Sequence, residues 1–405
     1  MKLDLYMSFV AVVLVLLTGR ILAKNIKFLR DYNIPEPVIG GIVAAFIFFI
    51  SHKYFDLKIT IDTTLKDPLM LAFFTSIGLS ADFSTLKRGG RRLVVFIIAV
   101  GILVFLQNIL GISIALAMGE NPLLGLLGGS ITMSGGHGTG AAWADTFIKA
   151  PYTYAPALEI AMAAATFGLV SGGIIGGPVA KYLITKHKLK ASEQSAQAAS
   201  SGDYAAFEEP HKERLITASS FIESLALIAI ALFVGNLISG FLKGSAFSLP
   251  TFVWCLFIGV ILRNTLQGFG IFKIFDREVA VLGDVSLALF LAIALMSINL
   301  LELVSLAVPM LVILCAQVAM MIFFAIFVTF RMTGKDYDAA VMSAGHCGFG
   351  LGATPTAMVN MQTVTARHGA SHMAFIVVPL TGAFFVDLIN ATAIKLYLLL
   401  PFFPA

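Results

Sequence analysis

Two glycine-rich segments hold the residues whose types and spacing are best suited to bind a solute. The first, NPLLGLLGGSITMSGGHGTGAAWADTF, has six glycines between Gly128 and Gly140. The second, DAAVMSAGHCGFGLGATPTAMVNMQT, has four between Gly345 and Gly352. Inside a lipid-facing helix each glycine would cost about 1 kcal/mol relative to alanine. Since glycine also admits positive φ and lets a ligand approach the main chain, each segment is predicted to form a helix–break–helix hairpin.

A helix break frees backbone groups that can recognise ions. The N–H groups at a half-helix N-terminus suit a carboxylate, and freed carbonyls suit a desolvated cation. The alternative is close helix packing, which predicts a four-residue glycine spacing along one face. The glycines of the first segment instead crowd into positions 135–140. The candidate substrate-binding residues are Ser134, Gly135, Gly136, His137, Gly138, Thr139, Gly140, Gly345, His346, Cys347, Gly348, Gly350, Gly352 and Thr354.

The two histidines of these segments are either proton carriers or hydrogen-bonded structural residues. His137 and His346 occupy non-equivalent positions, so the pattern favours the structural role over a paired relay. Neither segment fits a nucleotide-binding loop, because GGHGTG lacks the lysine of a P-loop and no strand precedes the second segment.

Polar side chains inside the apolar stretches are further candidates, because an aspartate at a span centre costs roughly 2.5 to 3.5 kcal/mol. Asp387 and Asn390 lie one helical turn apart and therefore on one face. Together with Asn108 they are predicted as oxygen ligands for a sodium ion; alternatively, Asp387 holds a substrate ammonium. Gln107 and Gln317 either tie helices together or line a cavity. The remaining acidic residues lie nearer predicted span ends, where snorkelling to the interface is favoured: Asp67, Glu159, Glu223 and Asp284.

The surroundings of these residues are lipid. Hydrophobic residues make up 58 % of the 405 and charged residues only 12 %, which leaves too little polar surface for a water-soluble globule. The net charge of +4 is spread out, which argues against nucleic acid as a partner. The three cysteines fit neither a disulfide framework nor a metal site.

The fold class predicted is an all-α membrane protein with ten transmembrane helices at about 5–23, 37–52, 68–86, 93–118, 157–184, 215–238, 250–265, 283–300, 304–330 and 373–399.

Charge and composition also predict how the spans are oriented. The stretch 186–213 is polar and has no sustained apolar period, so it is expected to be a linker between two halves. Placing it in the cytoplasm puts both termini in the periplasm, and most of the 27 Lys and Arg residues then lie inside. This bias is the one expected of a membrane protein.

The two halves resemble one another in order. Ile34–Pro35 pairs with Leu249–Pro250, Asp67 with Asp284, and Gln107 with Gln317; SGGHGTG then pairs with AGHCGFG. An odd number of spans in each half makes the second half inverted relative to the first, as in many secondary transporters. The predicted domains are an N-terminal repeat at 1–185 with a re-entrant hairpin at about 122–146, the linker at 186–213, and a C-terminal repeat at 214–405 with a re-entrant hairpin at about 338–362.

With these motifs in place, the chain resembles the bacterial glutamate:sodium symporter family over essentially its whole length. The segments that carry the resemblance are IPEPVIGG, DPLMLAFF, SGGHGTGAAW, ATFGLVSGG, KDYDAAV and AGHCGFGLGATPTAMVNMQ. It implies two inverted five-span halves with re-entrant loops, a homodimer in the bacterial inner membrane, and uptake of L-glutamate coupled to sodium without a cofactor. It also implies an elevator motion of the hairpin-bearing parts.

The family's glycine motif falls on both segments, but the halves differ where Gly136 and His137 correspond to His346 and Cys347. Unequal roles for the two segments are therefore expected. The alternative carrier is a proton-coupled or exchange carrier of another dicarboxylate that uses His137, His346 or Asp387. An enzyme is not favoured, because no HExxH or GxSxG motif is present.

Overall fold

The computed structural model describes residues 2–32, 34–57, 59–191, 216–244, 249–270, 272–296, 298 and 306–403, with the backbone alone at 85–88 and 383. Within these ranges the chain is helical, and the only extended pairing is one isolated bridge between Lys2 and Thr60. The predicted linker at 186–213 lies outside the described residues from position 192 onward.

Long apolar helices alternate with shorter helical pieces along the described part of the chain. In chain order they are α1 (Leu5–Asn25), α2 (Lys27–Asp31), α3 (Glu36–Phe55), α4 (Lys66–Leu79), α5 (Leu86–Ala117), α6 (Pro122–Leu126), α7 (Gly136–Ile148), α8 (Ala157–His187), α9 (Ala218–Phe241), α10 (Thr251–Gly268), α11 (Asp276–Leu295), α12 (Ala307–Phe324), α13 (Phe330–Met332), α14 (Tyr337–Leu351), α15 (Thr354–His368), α16 (His372–Leu380) and α17 (Val386–Leu398). Wider π turns follow α6, α12 and α16, at Leu127–Ile131, Ala325–Thr329 and Thr381–Phe385.

Eight helical stretches of the described chain are long and apolar enough to cross a hydrocarbon core of roughly 30 Å. They are Leu5–Asn25, Glu36–Phe55, Gly89–Ala117, Ala157–His187, Ala218–Phe241, Thr251–Gly268, Asp276–Leu295 and Ala307–Met332. These correspond to eight of the ten predicted spans, and they confirm the prediction of an all-helical chain with the apolar helices of a membrane protein.

The other two predicted spans have a different form. The span predicted at 68–86 is the 14-residue helix α4, which ends before Asp82 accepts a hydrogen bond from the Ser84 N–H at 2.8 Å in a local turn. The span predicted at 373–399 is helical from His372 to Leu398, but Pro379 is followed by a π turn, since proline removes one link of the hydrogen-bond ladder. The ten-span count stays a prediction.

Capping side chains start both glycine-rich segments. Asn121 accepts a hydrogen bond from the Leu123 N–H at 2.9 Å, and Pro122 takes the first helical position of α6, where a missing N–H costs nothing. Asp336 likewise accepts from the Ala339 N–H at 2.9 Å at the start of α14. We call residues 122–148 the first broken segment and residues 337–368 the second broken segment.

The helices pack into two bundles. The first bundle consists of α1, α3, α4, α9, α10 and α11, in which α4 packs against both α10 and α11. The second bundle consists of α5–α8, α12 and α14–α17, in which α8 packs against α7, α14 and α15, and α5 packs against α6, α12 and α17. Both broken segments therefore belong to the second bundle.

Contacts across the boundary between the bundles include an ion pair and an aromatic contact. The Lys66 ammonium of α4 pairs with the Asp145 carboxylate of α7, which also accepts from Lys149 at 2.5 Å. The Trp143 ring of α7 meets the Phe252 ring of α10 edge-on, with centroids 5.6 Å apart. One buried apolar cluster extends from the first bundle to these residues, and a second cluster lies within the second bundle around Leu103, Met321 and Phe349.

A stripe of small residues brings α8 close to the second broken segment. Gly168, Gly172 and Gly176 follow one another at four-residue spacing on one face of α8, the spacing expected for close helix packing. A Cβ atom at Gly168 would lie 2.1 Å from the Leu351 carbonyl oxygen, and one at Gly172 would lie 2.9 Å from that of Cys347. The backbone of α14 therefore leaves no room for a side chain at these positions.

We expect Gly168→Ala to destabilise the protein, because the added methyl group would press on main-chain atoms that cannot rotate away. Overpacking of this kind typically costs about 1 to 3 kcal/mol, and the loss should appear as a lower unfolding midpoint of the detergent-solubilised protein. Gly177→Ala is the matched control on the same helix, because a Cβ atom there meets nothing within 4 Å. Equal midpoints for the two variants would contradict this account of the α8–α14 contact.

Candidate functional site

A cavity of about 470 Å³ lies at the boundary between the two bundles. The second bundle contributes the breaks of both broken segments, and the first bundle contributes α4, α11 and the start of α3. The lining residues are Pro35, Pro37, Phe73, Ile77, Ser134, Gly135, Gly136, His137, Gly138, Asp284, Leu287, Ala288, Leu291, Phe349, Gly352, Ala353, Thr354, Pro355, Gly382, Val386 and Asp387. Two regions more than 200 residues apart in sequence thus meet in one cavity.

The first broken segment loses regular helical geometry in two steps. Gly129, inside the π turn, has φ −95° and ψ −140°, and α7 then begins at Gly136, whose φ is +67°. This left-handed conformation favours glycine. A Cβ atom at Gly136 would lie 3.1 Å from the Gly352 carbonyl oxygen, so the two breaks are in direct contact. The first N–H groups of α7 have no partner within their own helix, and Gly136, His137 and Gly138 line the cavity.

The second broken segment has a shorter break. Helix α14 continues to Leu351, Gly352 has φ −146° and ψ −99°, and Ala353 is extended. Helix α15 then begins at Thr354 with Pro355 in its first turn. Both of these residues line the cavity, so the N-termini of α7 and α15 share it. Each N-terminus carries a partial positive charge, which makes the cavity suited to anionic groups.

The predicted binding residues divide into three groups by position. Those that line the cavity are Ser134, Gly135, Gly136, His137, Gly138, Gly352, Thr354 and Asp387. Thr139 and Gly140 lie in the first turns of α7. Five others are buried residues of helix α14, namely Gly345, His346, Cys347, Gly348 and Gly350. In α14 glycine serves helix packing, since a Cβ atom at Gly348 would lie 2.5 Å from the Cα atom of Ala357.

The two histidines have different surroundings. His346 is fully buried among the rings of Phe96, Phe324 and Phe349, and its Nδ1 lies 2.8 Å from the Thr329 hydroxyl. His137 faces the cavity, and its Nε2 lies 3.0 Å from the Thr166 hydroxyl.

Thr166 connects His137 to the backbone of α8. The same hydroxyl lies 2.8 Å from the Met162 carbonyl of its own helix.

Asn108 and Asn390, both predicted as cation ligands, form hydrogen bonds with the same residue, Ser130, which the sequence did not predict as a ligand. The Ser130 hydroxyl lies 2.8 Å from Asn108 Oδ1 and 2.5 Å from Asn390 Oδ1. The Ser130 N–H donates to Asn108 Oδ1 at 3.0 Å, and Asn390 Nδ2 donates to the Ser130 carbonyl at 2.9 Å. All three residues are fully buried. The signal that could have found Ser130 is its place directly after Gly128 and Gly129.

Asp387, the third predicted cation ligand, lies one turn before Asn390 and faces the cavity. Its Oδ1 is 3.4 Å from the Thr139 hydroxyl in the first turn of α7. Among the described residues no group of three or more His, Cys, Asp or Glu side chains is placed to hold a metal ion. The oxygen atoms around Ser130, with the Asp387 carboxylate nearby, are instead the hard ligands that suit a cation such as sodium.

Gln107 connects the two broken segments. Its Nε2 donates to the Gly350 carbonyl at 2.7 Å, and its Oε1 accepts from the Ser134 hydroxyl at 2.7 Å. Gln317 donates to the Gln107 carbonyl at 2.7 Å. Of the two predicted roles for these amides, tying helices together is the one that these contacts show.

The first bundle supplies one carboxylate to the cavity, and its position differs from the predicted one. Asp284 was expected near a span end, but α11 begins at Asp276, so Asp284 lies within the helix and lines the cavity. The other residues that line the cavity on that side are all apolar, namely Pro35, Pro37, Phe73, Ile77, Leu287, Ala288 and Leu291.

The described part of the chain thus has eight helices long and apolar enough to cross a bilayer, and two helix breaks meet in a cavity between two helical bundles, an arrangement typical of polytopic membrane transporters. Residues 1–370 match the family model described as sodium/glutamate symporter. The chain is 54 % identical over 405 residues to a sodium/glutamate symporter of Escherichia coli K12, with 99 % of each chain covered. It is 53 % identical over 382 residues to one of Haemophilus influenzae Rd, with 94 % of each covered. The chain belongs to the sodium/glutamate symporter family.

We expect Gln107→Leu to lower stability by about 2 kcal/mol or more, because the buried Gly350 carbonyl and the Ser134 hydroxyl each lose a partner at 2.7 Å and keep only their mutual contact at 3.5 Å. Chemical denaturation of the purified protein in detergent, followed by tryptophan fluorescence, measures the change. Gln362→Leu, at an exposed position of α15, is the control and should leave the transition in place. If both variants unfold like the unaltered protein, Gln107 does not hold the two segments together.

Proposed function

We propose that the chain takes up L-glutamate together with sodium by alternating access, with sodium as the coupling ion and with no cofactor. The observation that carries the proposal is that two helix N-termini, one from each broken segment, line one cavity with Asp387. The names of the matched family and of the relatives support the same solute and ion.

The chemistry of the cavity suits an amino acid with two carboxylates. Its lining residues, all within the described part of the chain, include no Lys or Arg, so an anionic substrate must be held by neutral donors. We assign one carboxylate to the first turn of α7 with Ser134, and the other to the first turn of α15 with Thr354. Helix N-termini bind carboxylates in this way through unpaired N–H groups and the helix dipole. The substrate ammonium would then pair with a carboxylate of the lining.

We assign sodium to the oxygen cluster of Asn108, Ser130 and Asn390, with Asp387 beside it. An ion in this position would link the two binding events, because Asp387 also accepts from Thr139 at the N-terminus of α7. Binding of the ion would order the same helix end that receives the substrate carboxylate. Without bound sodium, the N-terminus of α7 would be less well ordered and would bind the substrate carboxylate more weakly.

The division into two bundles supports an elevator motion. The proposed ligands for sodium and for both carboxylates lie in the second bundle, so this bundle would carry the solute past the first. Each bundle draws helices from both predicted repeats, 1–185 and 214–405, as expected if the chain has ten spans in two inverted halves. In that arrangement both broken segments are re-entrant.

We also propose that the protein is a homodimer of the bacterial inner membrane. In this orientation both termini are periplasmic and the linker at 186–213 is cytoplasmic. The excess of Lys and Arg on the predicted inner side supports the orientation.

We expect wild-type protein in proteoliposomes to accumulate radiolabelled L-glutamate when an inward sodium gradient is applied at fixed pH. Asp387→Asn should raise the sodium concentration for half-maximal uptake roughly ten- to hundredfold, the effect of losing one interaction with a charged partner. Asp56→Asn is the matched control, since Asp56 is an exposed C-cap residue with φ +50°, a conformation that asparagine adopts readily. In this control the sodium concentration for half-maximal uptake should be unchanged.

Two results would contradict this proposal. Uptake driven equally well by a proton gradient without sodium would favour the alternative, a proton-coupled or exchange carrier of another dicarboxylate that uses His137, His346 or Asp387. If Asp387→Asn leaves the sodium concentration for half-maximal uptake unchanged, the Asp387 carboxylate does not bind sodium and its role is structural.

The elevator motion is tested by tying the bundles together. In a background with the three native cysteines replaced by alanine, Lys66→Cys with Asp145→Cys places one thiol on each bundle where an ion pair now lies. We expect a reducible bifunctional thiol reagent to block uptake almost completely, and a reductant to restore it. Arg92→Cys with Asp336→Cys is the control, because this ion pair, at 2.5 Å, lies within the second bundle. Full uptake after cross-linking of the first pair would exclude movement between the bundles at this contact.

A further inference from the structure

A second groove lies far from the transport cavity, between the C-terminal ends of α8 and α15. Its volume is about 780 Å³, and it shares no lining residue with the cavity. The residues that line it include Gly177, Lys181, Thr185, Lys186, Thr363 and Arg367. The sequence assigns this end of both helices to the cytoplasmic side of the membrane.

The rim of the groove is basic. Lys181, Lys186 and Arg367 are exposed, and in the described part of the chain none of them pairs with a carboxylate. The Lys186 ammonium instead lies over the Tyr182 ring at 5.1 Å and donates to its hydroxyl at 2.7 Å. Positive charges that have no acidic partner among the described residues favour an anionic ligand.

Deeper along both helices the same faces become apolar. On α8, Ile174 precedes Pro178, Lys181 and Thr185 at helical spacing, and its side chain is 51 % exposed. On α15, Val359 precedes Thr363 and Arg367 at four-residue spacing and is 43 % exposed. The groove thus has basic and hydroxyl groups at its rim, and apolar side chains continue its walls toward the membrane interior.

We propose that this groove binds an anionic phospholipid of the cytoplasmic leaflet. The phosphate lies among Lys181, Lys186 and Arg367, with Thr185 and Thr363 as hydroxyl donors, and an acyl chain lies along Ile174 and Val359. Basic pockets between membrane helices bind lipid headgroups in this manner, and Tyr182 is one of the aromatic residue types enriched at the headgroup region. Because α15 runs from this groove to the transport cavity, the lipid would hold the cytoplasmic end of a helix whose N-terminus faces the solute.

The test is a native mass spectrometry titration of the intact protein in a neutral detergent with dioleoylphosphatidylglycerol. We expect the double variant Lys181→Gln with Arg367→Gln to weaken binding of the first lipid roughly 20- to 30-fold, since each basic residue near an anionic lipid contributes about fivefold. Gly177→Phe tests the same groove without a change in charge. A Cβ atom at Gly177 meets nothing within 4 Å, so the ring would fill the groove, and binding should fall by a similar factor.

The matched control is Lys24→Gln with Lys27→Gln, which removes two exposed charges from the predicted cytoplasmic side of the first bundle. It should leave the affinity unchanged. An equal loss in this control, or full binding in Gly177→Phe, would overturn the proposal in favour of unspecific charge attraction. Displacement of the lipid by inorganic phosphate at about 10 mM, or equal binding of dioleoylphosphatidylcholine, would also overturn it, because a specific site needs both the headgroup charge and the acyl chain.

Discussion

A backbone group released from a helix at membrane depth has no water to bond to and must find another partner. In this protein, side-chain amides form hydrogen bonds with backbone groups that lack a partner within their own helix. Asn108 accepts from the Ser130 N–H, Asn390 donates to the Ser130 carbonyl, and Gln107 donates to the Gly350 carbonyl. With these partners the chain can keep two helix ends inside the molecule, and both N-termini can face a cavity at low energetic cost. The cavity and the proposed ion site depend on these few amides.

Helix packing also keeps the broken segments away from lipid. The second bundle surrounds both segments with α5, α8 and α17. The glycine stripe of α8 lets the backbone of α14 pack directly against the backbone of α8. The first bundle closes the cavity with mostly apolar side chains and Asp284. An apolar wall makes few directional bonds across the boundary, whereas the ion pair of Lys66 with Asp145 is a discrete contact there. A boundary with few discrete contacts is compatible with relative movement of the bundles.

Much of this arrangement follows from the sequence, because apolar length and glycine crowding are local signals. They predicted the helical membrane protein, the first break near Gly135 and the facing pair Asp387 and Asn390. What they missed depends on contacts between distant residues. The glycines Gly345–Gly350 look like a break but lie in a helix, since a neighbouring helix, not a solute, occupies the space beside them. Ser130 and Asp284 were missed for the same reason: nothing local shows that the fold brings Asn108 and Asn390 to one hydroxyl or turns Asp284 toward a cavity.

Gln107 has a consequence for how this protein can change over evolutionary time. One amide holds a serine of the first broken segment and a carbonyl of the second, so a mutation on either side alters the other's partner. Substitutions in the two segments should therefore be epistatic: a change tolerated in one would depend on which residues occupy the other. We expect chimaeras that join halves from different relatives to function only when the residues at positions 107, 134 and 350 still form this contact.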